Sequence, residues 1–210
     1  QIYSRAYLHK RGYGDHHLQK YVKAGWIERV GVGAYKKPGD IVDWQNGLHA
    51  IQTQLKLPIH VGSRAALSLL GKGQYIELGK MELSLLAPRK CSLPSWFKKH
   101  SWSVEISFQE STLFRESLSD FGKKENGFTK KEYGQVDVIM SASERAIMEY
   151  LDKLPFEGTY QEALELMENL TSLRSGVVQS LLEKCSSVKV KRLFLHLAEK
   201  INHPWFKKLD

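Results

Sequence analysis

Cysteine is scarce: of 210 residues only Cys91 and Cys185 carry thiols, and they lie far apart in the chain. Two thiols at that spacing offer neither a disulfide framework nor a thiolate zinc site, and they fit a reducing cytosol. No apolar run approaches the ~18 residues a membrane span needs, so a soluble, cytoplasmic protein with no membrane partner is expected. The residues after Gln1 are too polar for a secretory signal, and a first residue other than Met suggests a trimmed or incomplete start. Acidic side chains are few in the first half: residues 1–100 hold 16 basic and 6 acidic groups, in a chain of net charge +8. That imbalance favours a polyanionic partner. Hydrophobic residues at 42% and charged residues at 26% are globular proportions, and the length is ample for a real core.

The pieces that metal-assisted catalysis needs are also missing. A nuclease centre of the type that sets two carboxylates and a lysine around a metal-bound water uses Glu-x-Lys, which occurs nowhere here. Glu105 and Asp137 fall on expected strands, each more simply the exposed side of an alternating pattern. Gly62-Ser63 is similar to the loop with which nucleotidyltransferases hold triphosphate on backbone amides. No Asp-x-Asp follows to bind a metal, and the next acidic residue, Glu77, stands alone. It reads as a turn before a helix. Ser95-x-x-Lys98 has acyl-enzyme spacing without the accompanying motifs, so residues 96–99 read as a surface turn with an aromatic anchor. His16-His17 has only Asp15 near ligand spacing. No catalysis, cofactor or metal is expected.

The pattern predicts an α+β protein in three stretches. Residues 1–40 are basic and rich in Gly and Tyr, ending in the turn signal Lys36-Lys37-Pro38-Gly39-Asp40. Residues 41–140 mix α and β: helices over Trp44–Leu55 and Arg64–Leu70, and extended segments at Pro58–Val61, Tyr75–Leu78, Glu82–Leu86, Trp102–Phe108 and Val136–Met140. Residues 141–210 are helical near 143–153, 160–170, 174–185 and 187–201, with capping boxes expected at Ser141-x-x-Glu144 and Thr159-x-x-Glu162. The helical region is expected to pack with 41–140.

The first stretch reads as a helix-turn-helix followed by a wing. A helix is expected over Ile2–Lys10, with a turn at Gly12-Tyr13-Gly14. A second helix, capped by Asp15, is expected to run to Ala24 and stop at Gly25. At 100° per residue, Leu18, Tyr21 and Val22 share one face and His16, Gln19, Lys20 and Lys23 the other. Amide and basic side chains on the first turns of such a helix can read base edges in a major groove, and later cations can hold phosphate. His16, His17, Gln19 and Lys20 would read, and Lys23 would anchor. Trp26–Val30, the turn Gly31-Val32-Gly33 and Ala34–Lys37 form the expected hairpin, setting Arg29, Tyr35, Lys36 and Lys37 beside the DNA backbone, with Arg5 on the first helix. Residues 1–37 carry eight basic and two acidic groups, an electrostatic footprint for DNA. The same pattern also suits a solvated surface or a module that docks a protein partner.

The run from Tyr21 to Asp40 (YVKAGWIERVGVGAYKKPGD) resembles the winged helix of the AbiEi family, antitoxins of type IV toxin–antitoxin systems. The likeness continues through His60-Val61-Gly62-Ser63-Arg64-Ala65-Ala66-Leu67, Leu93-Pro94-Ser95-Trp96 and Ser143-Glu144-Arg145-Ala146-Ile147-Met148-Glu149. Lys189-Val190-Lys191-Arg192-Leu193-Phe194-Leu195 and His203-Pro204-Trp205-Phe206 complete it. The resemblance implies a repressor of its own operon that binds double-stranded DNA at promoter inverted repeats. It also implies a nucleotidyltransferase toxin counteracted without a stable complex, and a C-terminal region tied to antitoxicity and cooperative repression. On the last expected helix Lys189, Arg192, His196 and Lys200 form a basic stripe opposite Leu193, Phe194, Leu197 and Ile201. That stripe suits a second nucleic-acid surface or a solvated face.

Overall fold

The computed structural model describes residues 1–73 and 80–210. The chain opens with strand β1 (Ile2–Ser4), helices α1 (Arg5–Lys10) and α2 (Asp15–Lys23), and a hairpin of β2 (Glu28–Gly31) and β3 (Ala34–Lys36). The three strands pair antiparallel in the order β1-β3-β2. The helix expected from Ile2 therefore starts three residues late. Ser4 Oγ accepts the Tyr7 N–H at 3.2 Å and caps α1, while Ile2, Tyr3 and Ser4 pair with Lys36, Tyr35 and Ala34. A pairing partner more than 30 residues away leaves no trace in local periodicity, which is why the strand was not foreseen.

Helix α3 (Trp44–Thr53) begins at a reciprocal cap between Asp43 and Asn46. It ties the first sheet to a second one. Just beyond its end, the Gln54 amide accepts from Ser4 N–H at 2.7 Å and donates to Ile2 C=O at 2.8 Å, so a side chain closes the free edge of β1. Buried Gln52 donates to Ile59 C=O and Ile139 C=O and accepts from Ile139 N–H, each within 2.8 Å. The body continues with β4 (His60–Val61), α4 (Ser63–Leu69), β5 (Glu82–Ala87), α5 (Ser95–Lys99), β6 (Glu105–Glu110), β7 (Phe128–Tyr133) and β8 (Val136–Ser141). Among the described residues its sheet runs β6-β5-β4-β8-β7, with β5/β6 and β4/β8 parallel and the other pairs antiparallel. Strand β4 is short, and Gln52 supplies polar partners to backbone that this ladder does not reach. The segment Tyr75–Leu78 lies outside the described residues. The expected strand at Trp102 starts only at Glu105, because Trp102 turns inward against Phe97 and donates its indole N–H to Phe97 C=O at 2.8 Å. Residues 95–99 form a short helix rather than a turn, burying Trp96 and Phe97.

The C-terminal helices are α6 (Ser143–Lys153), α7 (Tyr160–Glu168), α8 (Ser175–Lys184) and α9 (Val188–Ile201), within two residues of their expected bounds. Thr159 and Glu162 form the expected capping box. Ser141 and Glu144 do not. The cap of α6 is Ala142, Glu144 is buried against Arg174, and Ser141 Oγ donates to Glu149 at 2.8 Å. One hydrophobic cluster runs through all three stretches, from Ile2 and Ala34 through Trp44 and Leu85 to Ile147, Phe194 and Trp205.

Glu149 sits at the centre of a buried polar network. Its carboxylate accepts from His60 Nε2 (3.1 Å), Ser63 N–H (2.9 Å), Ser141 Oγ (2.8 Å) and Arg145 Nε (2.9 Å). Arg145 then reaches Glu116 at 2.8 Å and Asn126 C=O at 3.0 Å, its guanidinium lying over the Phe114 and Phe128 rings. A Cβ on Gly62 would meet Glu149 Oε2 at 2.5 Å, so any larger residue there would have to displace the carboxylate from its partners. Burial by itself would raise the Glu149 pKa, but the hydrogen bond and charge of His60, the charge of Arg145 and the Ser63 N–H outweigh it and hold the value at about 2. Removing one partner of a buried charged network leaves the others unpaired, so Glu149→Ala is expected to cost about 3–5 kcal/mol in urea unfolding. Because the folded value lies below the ordinary 4.5, Glu149's contribution is complete above about pH 4.5 and lost as pH falls towards 2. Acid titration of stability should show that loss in the wild type and a shallower one in Glu149→Gln.

Candidate nucleic-acid interface

Helix α2 is held by one buried side chain, Leu18, while His16, His17, Gln19, Lys20 and Lys23 are exposed. Tyr21 and Val22 are half-buried, so the two faces divide as the helical period predicts. Gly25, at φ +72°, ends the helix, and Trp26 N–H folds back to Tyr21 C=O at 2.9 Å. Asp15 is not the cap of α2, since Gly14 occupies that position without a side-chain bond. The Asp15 carboxylate instead accepts from Arg5 and, at 2.9 Å, from His9, joining α1 to α2 across the turn. Against a desolvation penalty, those bonds hold its carboxyl below the usual carboxylate value.

The hairpin follows this helix in the chain, with Val32 exposed at its tip. Arg29 and Lys37 are exposed, and among the described residues neither has a salt bridge. Lys36 and Tyr35 differ from expectation. Lys36 Nζ is held by Glu28 Oε2 at 2.9 Å and Asp40 C=O at 2.8 Å. Tyr35 is buried on the middle strand, paired to Tyr3 on one side and Arg29 on the other, so it packs inside the unit rather than lying beside DNA. Arg5 is exposed but engaged with Asp15. The free cations therefore reduce to Lys20, Lys23, Arg29 and Lys37, joined by Lys10 and by Arg11, whose guanidinium lies 4.5 Å from the Tyr7 ring centre. Lys10 and Arg11 entered the charge count, and they sit at the corner between the two helices, next to the expected turn at Gly12-Tyr13-Gly14.

A second feature escaped the sequence pattern. Trp26, expected to begin the wing strand, lies before it with 68% of its surface exposed, stacked on Tyr21 at 5.3 Å. Tyr21 continues to His17 at 6.4 Å and meets Tyr13 at 6.2 Å, so an aromatic row borders the basic face. The signal was present as a Trp just after a helix-ending Gly, but periodicity placed it in a strand. The hairpin is seated on the body by Trp96, packed against Gly31, and by His100 Nδ1 at 3.3 Å from Val30 C=O.

On α9, Lys189 is committed: its ammonium donates to Asp152 C=O at 2.7 Å and Leu154 C=O at 3.0 Å, at the C-terminal end of α6. Arg192, His196 and Lys200 remain exposed, the last two beside Tyr160. Glu105 lies on β6 and Asp137 on β8, with β5 and β4 between them, so they do not form a pair. The Ser63 N–H that a triphosphate would need is taken by Glu149. Among the described residues no group of three or more His, Cys, Asp or Glu is placed to hold a metal ion, and no helix is long and apolar enough to cross a membrane.

Two helices joined by a short turn and followed by a β-hairpin, carried on an α/β body capped by helices, agree with the arrangement of a winged helix-turn-helix. Comparison with protein families makes that specific. Residues 1–78 match the model described as "Transcriptional regulator, AbiEi antitoxin N-terminal domain", and residues 80–210 match "Transcriptional regulator, AbiEi antitoxin, Type IV TA system". The chain belongs to the AbiEi antitoxin family of transcriptional regulators. No curated protein matches it. Among solved structures it is similar to the RV2827C protein from Mycobacterium tuberculosis, at a TM-score of 0.57 and 13% identity over 100% of this chain and 76% of that one; this likeness concerns the fold alone.

Exchanging a packed aromatic and exposed lysines should separate packing from surface. Tyr35→Ala is expected to lower unfolding free energy by about 3 kcal/mol. Lys20→Ala and Lys23→Ala should each change it by less than about 0.5 kcal/mol in the same urea titration.

Proposed function

We propose that this antitoxin regulator represses its own operon by setting α2 in the major groove of an inverted repeat, with the hairpin and the α1–α2 corner on the flanking phosphates. The observation that carries the reading is the α2 surface: Gln19, Lys20 and Lys23 face outward without salt bridges while Leu18 anchors the opposite side. His16, His17 and Gln19 supply hydrogen-bonding groups for base edges; Lys20, Lys23, Arg29 and Lys37 supply phosphate contacts. Arg5, Tyr35 and Lys36 act behind that surface, shaping it through Asp15, the sheet and Glu28. Arg192, His196 and Lys200 offer a second phosphate-binding stripe for a longer operator. In this reading the protein works in the cytoplasm, is not an enzyme, and counteracts a nucleotidyltransferase toxin without forming a stable complex.

A second reading draws on the Tyr13-His17-Tyr21-Trp26 row, exposed at Tyr13, His17 and Trp26, which suits a protein partner better than phosphate. Salt separates the two, because phosphate contacts are screened and displaced by ions whereas a desolvated aromatic interface is not. Fluorescence anisotropy on the duplex upstream of the gene, against a scrambled duplex, should show selective binding that weakens steeply with salt. Replacing Lys20, Lys23, Arg29 and Lys37 together by Ala should weaken binding to both duplexes and reduce the slope of log K against log salt by about 3.6. His16 or Gln19 replacement should alter base preference with little change in slope. Unchanged slopes in the four-cation variant would overturn the assignment.

A further inference from the structure

The body holds a cavity of about 680 Å³ away from α2, within the ~300–1,000 Å³ of small-molecule sites. It opens where the start of β4 meets the end of β5, between the 88–92 turn and the 111–121 segment. Its mouth carries Lys56, Arg89 and Lys90, all exposed and, among the described residues, without salt bridges. The nearest acid on β5's neighbouring strand, Glu110, accepts the Lys90 backbone N–H at 3.1 Å rather than an ammonium. The two carboxylates in the wall, Glu116 and Glu149, are both bound by the single cation Arg145, which leaves one negative charge inside against the three cations at the mouth.

Two of these cations are held in backbone that L-residues disfavour, Lys56 at φ +57° and Lys90 at φ +65°. Left-handed non-glycine residues cost energy and concentrate at ligand clamps. Apolar side chains line the same cavity: Pro58, Pro88, Phe121 and Leu118, the last 72% exposed. His60 also lines the cavity, and its Nδ1 is one of two buried side-chain atoms without a hydrogen-bond partner among the described residues. Burial, then Glu110, pushes the neighbouring Cys91 thiol pKa up, which makes Cys91 a neutral lining group rather than a nucleophile.

We propose that this cavity binds a nucleoside phosphate, its phosphates on Lys56, Arg89 and Lys90 and its base against Pro58, Phe121 and Leu118. Apolar and aromatic side chains beside a cluster of cations without salt bridges match the two halves of that ligand. The site is separate from the DNA-facing surface and stands or falls without it.

The test is isothermal titration calorimetry of the full chain, at fixed ionic strength, with ATP, GTP, AMP and inorganic phosphate. Saturable binding of at least one nucleotide, more than about tenfold tighter than phosphate, is expected. Lys56→Glu with Lys90→Glu should weaken it by about tenfold or more, as should Leu118→Asp, while Lys20→Glu with Lys23→Glu leaves it unchanged. All are surface substitutions, and circular dichroism checks that each variant is folded. Absence of saturable binding up to about 1 mM nucleotide overturns the proposal. So does equal affinity for inorganic phosphate, or binding that is lost with Lys20 and Lys23 instead.

Discussion

Taking a carboxylate out of water costs several kcal/mol, and a fold can hold one inside only by surrounding it with donors. Glu149 imposes that condition on this protein. Its four donors come from β4, from the first residue of α4, from the end of β8 and from the preceding turn of α6. Those elements must meet at one point with hydrogen-bond geometry, and Gly62 must stay free of a Cβ for them to do so. Arg145 carries the constraint outward, binding Glu116 and the carbonyl before Gly127. The loops that frame the cavity are thereby anchored to the same carboxylate that anchors the sheet.

Two glutamines extend this order to the N-terminal unit. Gln52 completes hydrogen bonds along β8 and Gln54 closes the edge of β1, one on each side of the end of α3. Trp96 and His100 hold the hairpin from its other side. The N-terminal unit therefore stands on the body through directional polar contacts and a packed indole, not through a loose tether. For a regulator of the AbiEi family, the orientation of α2 relative to any second surface, such as the exposed part of α9, is set by these contacts.

Much of the architecture was legible because it depends on short-range pattern. Helices α6 to α9 follow three- and four-residue spacing, the Thr159 box forms as written, and Leu18 faces inward while His16, Gln19, Lys20 and Lys23 face outward. Pattern failed where a distant partner outbid the local one. Ile2–Ser4 reads as helix until β3 is present to pair with it. Ser141 and Glu144 have the spacing of a cap, but Glu149 and Arg174 take their side chains. Asp15 has the position of a cap, yet Arg5 and His9 claim its carboxylate. In the set expected to contact DNA, charge and side-chain type marked Tyr35 and Lys36, and only the sheet buries one and pairs the other.

The sequence by itself determined the distribution of charge, the helical faces, the turn glycines and the family, because each is a property of residue type and spacing along the chain. Tertiary structure decided which cations remain unpaired, which carboxylates are buried, and that Lys56, Arg89 and Lys90 converge on one cavity from separate segments. The reason is physical. Pairing, desolvation and cavity formation depend on groups tens of residues apart, and no local period encodes their distance.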